Sequence, residues 1–434
     1  MTVLAVFFLL SDVSAAEAPL EEWNRTFGGL GIDKAYSVQQ TEDGGYILAG
    51  DTDSYGSKLA DAWLIKTDSE GFEEWNRTFG GLGIDKAYSV QQTEDGGYIL
   101  AGDTDSYGSK MADAWLIKTD SEGFEEWNRT YGNQEFIETA YSVRQTSDGG
   151  YILVSSSMAS ERPEDNLFPK FDAWIIKTDS KGVEEWNRTY GGEYFDALIS
   201  VQQTKDGGYI LAGHTDGENY GAFVSDAWLI KTDSEGFEVW NRTFGGEKID
   251  YAHCVQEVID GGYILAGETD ASGSGGSDAW LIKTDSEGFE EWNRTYGGQE
   301  YIETAYFVEE TSDGGYILAS SSTSTEWLGD NLLPEFDAWI IKTDSKGVEE
   351  WNKTFGGDGF DIAYSIQETS DGGYVFTAKR IMGSYMGGKT DVVLVKIEGE
   401  GGETDAFTPG FEILTGLASA AIIAKILVLR RKRI

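Results

Sequence analysis

From residue 35 the chain alternates short apolar runs with gaps rich in Asp and Gly. Ala35-Tyr-Ser-Val-Gln-Gln, Gly45-Tyr-Ile-Leu-Ala, Ala62-Trp-Leu-Ile-Lys and Glu73-Glu-Trp-Asn-Arg-Thr-Phe79 read as four short strands. The first gap is Thr41-Glu-Asp-Gly44 and the third is Thr67-Asp-Ser-Glu-Gly71. Both are short and carry Asp and Gly where hairpins need positive φ. The second and third strands are apolar on both faces, so both sides must be covered. The fourth alternates, with Trp75, Arg77 and Phe79 on one face and Glu74, Asn76 and Thr78 on the other. That pattern predicts an outer strand with one wet side.

The unit repeats. Its tryptophan recurs at Trp23, Trp75, Trp127, Trp186, Trp240, Trp292 and Trp351, a spacing that points to stacked or radial repeats. No stretch of the repeats has helical periodicity, so a helical solenoid is excluded and an open β-solenoid is the remaining competitor. The expectation is all-β: a seven-bladed β-propeller of four-stranded antiparallel blades at 19–399. The chain opens on a lone fourth strand, Glu21–Phe27, and closes on a blade whose third strand, from Asp391, has no fourth. The N-terminal strand is therefore expected to close the ring against residues 391–397. Closure removes an edge that would otherwise invite aggregation.

The ends read differently from the repeats. Residues 1–18 have an apolar core and a small-residue cleavage pattern but no positive n-region, which suggests an incomplete signal peptide. Residues 400–408 are a Gly/Glu linker. Within 409–434, Phe411–Leu429 is an apolar run long enough for a membrane-crossing hydrophobic helix, and Arg430-Arg-Lys-Arg433 follows it. The basic cluster reads as cytoplasmic and places the repeats outside. The chain's net charge of −43 agrees with an external, soluble body and argues against nucleic acid as a partner. The single cysteine, Cys254, excludes an intramolecular disulfide framework.

Three elements carry a family resemblance: Asp-Ala-Trp-Leu-Ile-Lys-Thr-Asp-x-x-Gly, Trp-Asn-Arg-Thr-Phe-Gly-Gly and Asp-Gly-Gly-Tyr-Ile-Leu-Ala-Gly. In them the chain resembles the SBBP-type β-propeller repeats of bacterial and archaeal surface proteins, over roughly residues 21–397. The hairpin Asp68-x-x-Gly71-x-x-x-Trp75 also looks like the quinoprotein propeller repeat. The tail Thr408-Pro-Gly-Phe-Glu412 with its apolar run and Arg cluster looks like the archaeal PGF-CTERM sorting signal. That resemblance implies processing at Pro409, Gly410 and Phe411 by an archaeosortase-like enzyme and anchoring to the external face of the membrane. Lys425 inside the apolar run is atypical of the signal.

Candidate chemistry is sparse. The Asp of Asp-Ala-Trp recurs in every repeat, as a scaffold residue would. Asp51-Thr-Asp-Ser-Tyr-Gly56 faintly resembles a calcium loop, but its twelfth position is Ala62, so turn chemistry is the better reading and no metal is expected. His214 and His253 lie in different repeats, without a nucleophile motif near either. One cysteine cannot form the pair a quinone cofactor would stack on. The expectation is therefore neither an enzyme nor a cofactor protein, but an anchored binding or adhesion module for a glycan or surface protein. A structural envelope component without a specific ligand is the alternative, and a propeller enzyme is a less favoured one. Loops between the second and third strands are long in repeats three and six, and their Phe168, Phe171, Trp327 and Phe336 are candidate contacts. The sequons at Asn24, Asn76, Asn128, Asn187, Asn241, Asn293 and Asn352 are candidate glycosylation sites on the outer wall.

Overall fold

A computed structural model describes residues 18–399, apart from 58, 109–111, 133–136, 159–170, 193–194, 217–223, 271–275, 299–300, 324–335, 357–360 and 383–388. The expected leader up to residue 17, the linker, the C-terminal helix and Pro409-Gly410-Phe411 lie outside the described residues. Every regular element among the described residues is a strand.

The repeat begins with β1 (Glu21–Phe27), β2 (Asp33–Gln40), β3 (Tyr46–Thr52), β4 (Asp61–Thr67) and β5 (Glu73–Phe79). β2 to β5 form an antiparallel meander, and five more such sheets follow along the chain. The seventh is made by Asp361–Glu368, Tyr374–Met382, Lys389–Ile397 and then β1. β1 lies antiparallel on Lys389–Ile397, with Trp23 opposite Lys396 and Phe27 opposite Val392. The fold is thus a seven-bladed β-propeller closed by its N-terminal strand.

Packing explains the strand patterns. β3 and β4 are buried along their whole length because they lie between neighbouring blades. Ile47, Ala49, Ala62 and Leu64 of the first blade meet Tyr98, Leu100, Trp115 and Ile117 of the second. At the closure, Tyr46, Leu48 and Trp63 meet Val375, Val392 and Leu394 of the seventh blade. β5 keeps its wet side, with Glu73 and Glu74 exposed. The real strands run a residue or two past the apolar runs: Asp33 and Asp61 begin β2 and β4, yet both are buried.

Polar groups tie blade to blade. In every blade, the turn after the first strand donates a backbone N–H to a Gln or Glu side chain of the next blade. The series begins with Glu42 to Gln92 and ends with Ser370 to Gln40, at 2.7–2.9 Å. On the outer side, Gly71 (φ +77°) lies under the Trp23 ring, and a Cβ there would come within 2.5 Å of it. Backbone conformation and close approach both require glycine at that turn.

The lysine near the end of each third strand was not legible as a core residue, yet it is. Lys342 is fully buried, and its Nζ meets Asp313 at 2.8 Å, Glu350 at 3.0 Å and the Thr343 carbonyl at 3.1 Å. The aspartate partners respond. Burial alone would raise the Asp148 carboxyl, but hydrogen bonds from Thr146, Lys177 and Gly150 outweigh it and hold it at about 2. Asp206 and Asp371 are held at about 2 in the same way.

Candidate functional site: the axial mouth

The first strand of each blade is innermost, and it is not regular. β2 pairs Ala35 with Gly50 and Ser37 with Ala49, so Tyr36 is an extra, bulged residue. The same slip frees Tyr88, Tyr141, Ile199, His253, Tyr306 and Tyr364 in the other blades. A bulge bends the strand and re-aims one side chain. Here it turns an aromatic residue toward the axis in all blades but the fourth. Neighbouring rings touch around the axis: Tyr36–Tyr88 at 5.1 Å, Tyr36–Tyr364 at 5.3 Å, Tyr306–Tyr364 at 5.2 Å and His253–Tyr306 at 5.7 Å between centroids.

Above this collar, on the side of the longer connections, lies a tier of cross-strand pairs. In order around the axis they are Lys34–Asp51, Lys86–Asp103, Thr139–Ser156, Ala197–His214, Tyr251–Glu268, Thr304–Ser321 and Ile362–Lys379. Among strand positions, this tier is where the blades of one chain differ most in character. The third strands, by contrast, repeat Asp-Ala-Trp in six of the seven blades. Scaffold positions are copied unchanged, whereas the axial positions have diverged into cations, anions, imidazoles and hydroxyls.

Below the collar is a cavity of about 200 Å³ lined by Val38, Gln39, Arg144, Cys254 and Phe307. Arg144 stands where five other blades have glutamine and the sixth has Glu309, and its guanidinium donates to the Val143 carbonyl at 2.8 Å. Burial raises the Cys254 thiol, so it stays protonated. The channel's far end opens into a funnel of about 540 Å³ lined by Gln39, Gln40, Gln91, Gln92 and Gln145.

The mouth's electrostatics are uneven. Tyr36 Oη donates to Asp51 Oδ1 at 2.8 Å, and Lys34 lies 3.8 Å from the same carboxylate. Burial raises Asp51 despite the opposing pull of Lys34, and it raises Asp103 to about 6 against Lys86. Burial, and then the neighbouring Lys34, push the Lys379 ammonium down. On the opposite side His214 stacks on Phe195 (5.5 Å, 12°) and touches Tyr251 at 4.4 Å. Burial, and then His253, push His214 down to about 3. Burial also lowers His253, against the attraction of Glu268, so both imidazoles are neutral at physiological pH. Glu268 Oε2 accepts hydrogen bonds from Thr304 Oγ1 and Ser277 Oγ. The mouth can therefore offer ammonium groups, carboxylates, neutral imidazoles and aromatic edges to one ligand. Among the described residues no group of three or more His, Cys, Asp or Glu side chains is placed to hold a metal ion.

The loop aromatics expected to make contacts are described only in part. Phe168 and Trp327 lie outside the described residues. Phe171 and Phe336 begin their third strands, opposite Met158 and Thr323, and Phe336 is half-buried. The sequons do line the outer strands. Asn24, Asn187, Asn241, Asn293 and Asn352 are exposed, whereas Asn76 and Asn128 are half-buried. Trp63 Nε1 donates to Asn76 Oδ1 at 3.3 Å, Trp115 does the same for Asn128, and both indoles are covered by Tyr55 and Tyr107. An indole donor is not what separates them from the exposed ones, since Trp339 donates in the same way to the exposed Asn352 at 3.1 Å. Each sequon asparagine also donates to the glutamate three residues earlier, as Asn76 does to Glu73 at 2.6 Å.

The other acidic groups are structural. Asp61 accepts from the Ser57 backbone N–H and approaches Asp85 over Gly80, whose Cβ would lie 2.6 Å from one carboxylate and 2.4 Å from the other. At the equivalent junction of blades five and six, burial and then the Asp278 carboxylate raise Glu303 to about 7. The calcium-like loop is turn chemistry: Asp53 accepts from the Ile32 N–H, and Ser54 Oγ donates to Asp33 at 2.7 Å.

No protein-family model matches the chain, and no curated protein matches it by sequence. Several solved structures are similar in outline. Sqt1 from Chaetomium thermophilum is 11% identical, with 84% of this chain and 85% of that one covered at a TM-score of 0.46. A PL25 ulvan lyase is 8% identical, with 73% and 79% covered at a TM-score of 0.46. The K499G mutant of NanB sialidase from Streptococcus pneumoniae is 12% identical, with 89% and 71% covered at a TM-score of 0.43. Likenesses this distant carry no argument about function, which rests on the site alone.

Proposed function

We propose that this protein is a binding module held at the outer face of the cell membrane, and that it receives a glycan at the axial mouth. The observation that carries the reading is that, among strand positions, the blades differ most in the axial tier, above a collar of bulged aromatics. A merely structural ring has no need to diversify Lys34, Tyr251, His214, Glu268 and Lys379 while keeping Asp-Ala-Trp in six of its seven third strands. A recessed mouth rimmed by hydroxyls, carboxylates and aromatic edges suits a sugar better than a flat protein surface. The binding role is preferred to catalysis because the mouth's two histidines are buried and packed against aromatic rings. Anchoring through the C-terminal segment, after processing near Pro409 by an archaeosortase-like enzyme, is part of the same proposal and rests on the sequence resemblance.

The test is a glycan array probed with the full-length chain and two variants. Tyr251→Ala with Glu268→Ala should abolish binding, while Phe168→Ala with Trp327→Ala should leave it intact. The opposite result would move the site to the loops of blades three and six.

A further inference from the structure

We infer that the ligand of the axial mouth is an anionic saccharide whose acidic group is held by Lys34, Lys86 and Lys379. The inference rests on the binding reading above and goes further by assigning the ligand's charge. Its basis is a local reversal of the molecule's electrostatics. The chain carries a net charge of −43, and its buried lysines are matched or outnumbered by acids. Lys66, for example, has both Asp43 at 2.9 Å and Glu74 at 3.1 Å. Across the mouth's tier three lysines face three carboxylates, but Glu268 lies on the far side, so the side formed by the seventh, first and second blades holds three lysines to two tier carboxylates.

Lys379, Lys34 and Lys86 come from three consecutive blades, the seventh, first and second. The Tyr364–Tyr36–Tyr88 contacts beneath them hold those blades together around the axis. The three ammonium groups share two carboxylates, Asp51 and Asp103. Asp51 is already engaged by the Tyr36 hydroxyl, and Lys34 reaches it only at 3.8 Å. Among the described residues neither Lys86 nor Lys379 has an ion-pair or hydrogen-bond partner, although both lie near enough to act on Asp51. Burial and then Lys34 lower Lys379, and the attraction of Asp51 opposes them only in part.

The opposite side of the mouth supplies a surface for an uncharged sugar body. Phe195, His214 and Tyr251 form a packed aromatic group there. His214 Nδ1 and His253 Nε2 are buried without a hydrogen-bond partner among the described residues. Both atoms are shielded from solvent, so this side presents aromatic edges to a ligand rather than these nitrogens. The mouth is thus richest in lysine on one side, and aromatic with the Glu268 carboxylate on the other. A saccharide bearing one carboxylate or sulfate matches both sides. A long polyanion would instead be repelled by the acidic exterior.

The experiment is calorimetric titration of the full-length chain at low salt with glucuronate, glucose 6-sulfate, glucose and inorganic sulfate. Either acidic sugar should bind at least about tenfold more tightly than glucose, with added salt weakening the interaction. Lys34→Gln and Lys379→Gln should each lose about tenfold for acidic sugars while melting like the parent, and Lys34→Arg should retain binding. Comparison of the two acidic sugars identifies the carboxylate or the sulfate as the source. Glucose bound equally well, indifferent to the lysine variants, would overturn the charge assignment and leave the glycan reading standing. Sulfate bound as tightly as the acidic sugars would overturn saccharide recognition at the lysines. Absence of binding by any sugar would overturn both.

Discussion

Deletion of residues 19–29 tests what the closing strand is worth. It removes β1, in which Phe27 is buried and Trp23 half-buried. At about 25 cal/mol per Å² these two rings contribute about 4–5 kcal/mol. Loss of the ladder to Lys389–Ile397 adds about 3–5 kcal/mol at roughly 1 kcal/mol net per bond. The sum, about 7–10 kcal/mol, is comparable to the whole stability of a typical folded domain. The truncated chain should therefore fail to melt cooperatively and should aggregate through the bared edge of Lys389–Ile397. A rearranged chain that starts at residue 30 and carries residues 19–29 after residue 399 should recover the parent melting curve. Circular dichroism melts with light scattering read both. A truncated chain that melts like the parent would refute the argument that β1 closes the ring.

Further outcomes follow from the buried charges and the outer wall. Lys342→Met keeps the buried stem and loses the hydrogen bonds, so denaturant titration should show a cost of about 1–2 kcal/mol, against about 3 for Lys342→Ala. The carboxyls of Asp148, Asp206 and Asp371, at about 2, lie below their ordinary 3.8, so their stabilisation is present above pH 4 and is lost as pH falls toward 2. Glu303 and Glu309 lie at about 7, above their ordinary 4.5, so theirs is complete below pH 4.5 and is lost as pH rises through 7. Stability should peak near pH 4–5, and Glu303→Gln should flatten the alkaline side of a melting-temperature profile. Intact mass of native material should show glycans at the exposed Asn24, Asn187, Asn241, Asn293 and Asn352 before the half-buried Asn76 and Asn128, and a C-terminus near Pro409. An unmodified, uncleaved mass would leave the sequons a purely structural role.

The fold was legible because its signals are local. Asp-Gly turns, doubly apolar second and third strands and an alternating fourth strand specify a meander, and an unpartnered strand at each end specifies closure. The axial mouth was not legible in the same way. Tyr36 reads as one more apolar strand residue, and its aim toward the axis depends on a bulge that appears only once Ala35 and Ser37 are paired with Gly50 and Ala49. Lys34 and Asp51 become neighbours only through that register, and Lys379 joins them only when the ring closes. The buried lysines were obscured for a related reason. Lys66 looks solvent-seeking until the turn carboxylate of Asp43 and the outer-strand carboxylate of Glu74 are brought to it. One signal was available: aligning the repeats with one another shows the third strands constant and the positions equivalent to Lys34 and Asp51 diverging.

The most direct test of glycan binding at the axis is a crystal structure of the full-length chain with the tightest glycan from the array. The ligand is expected within hydrogen-bonding distance of Lys34 or Lys379 on one side and of His214, Tyr251 or Glu268 on the other. A glycan seated instead on the loops carrying Phe168 and Trp327, with the axial mouth empty, would contradict the account.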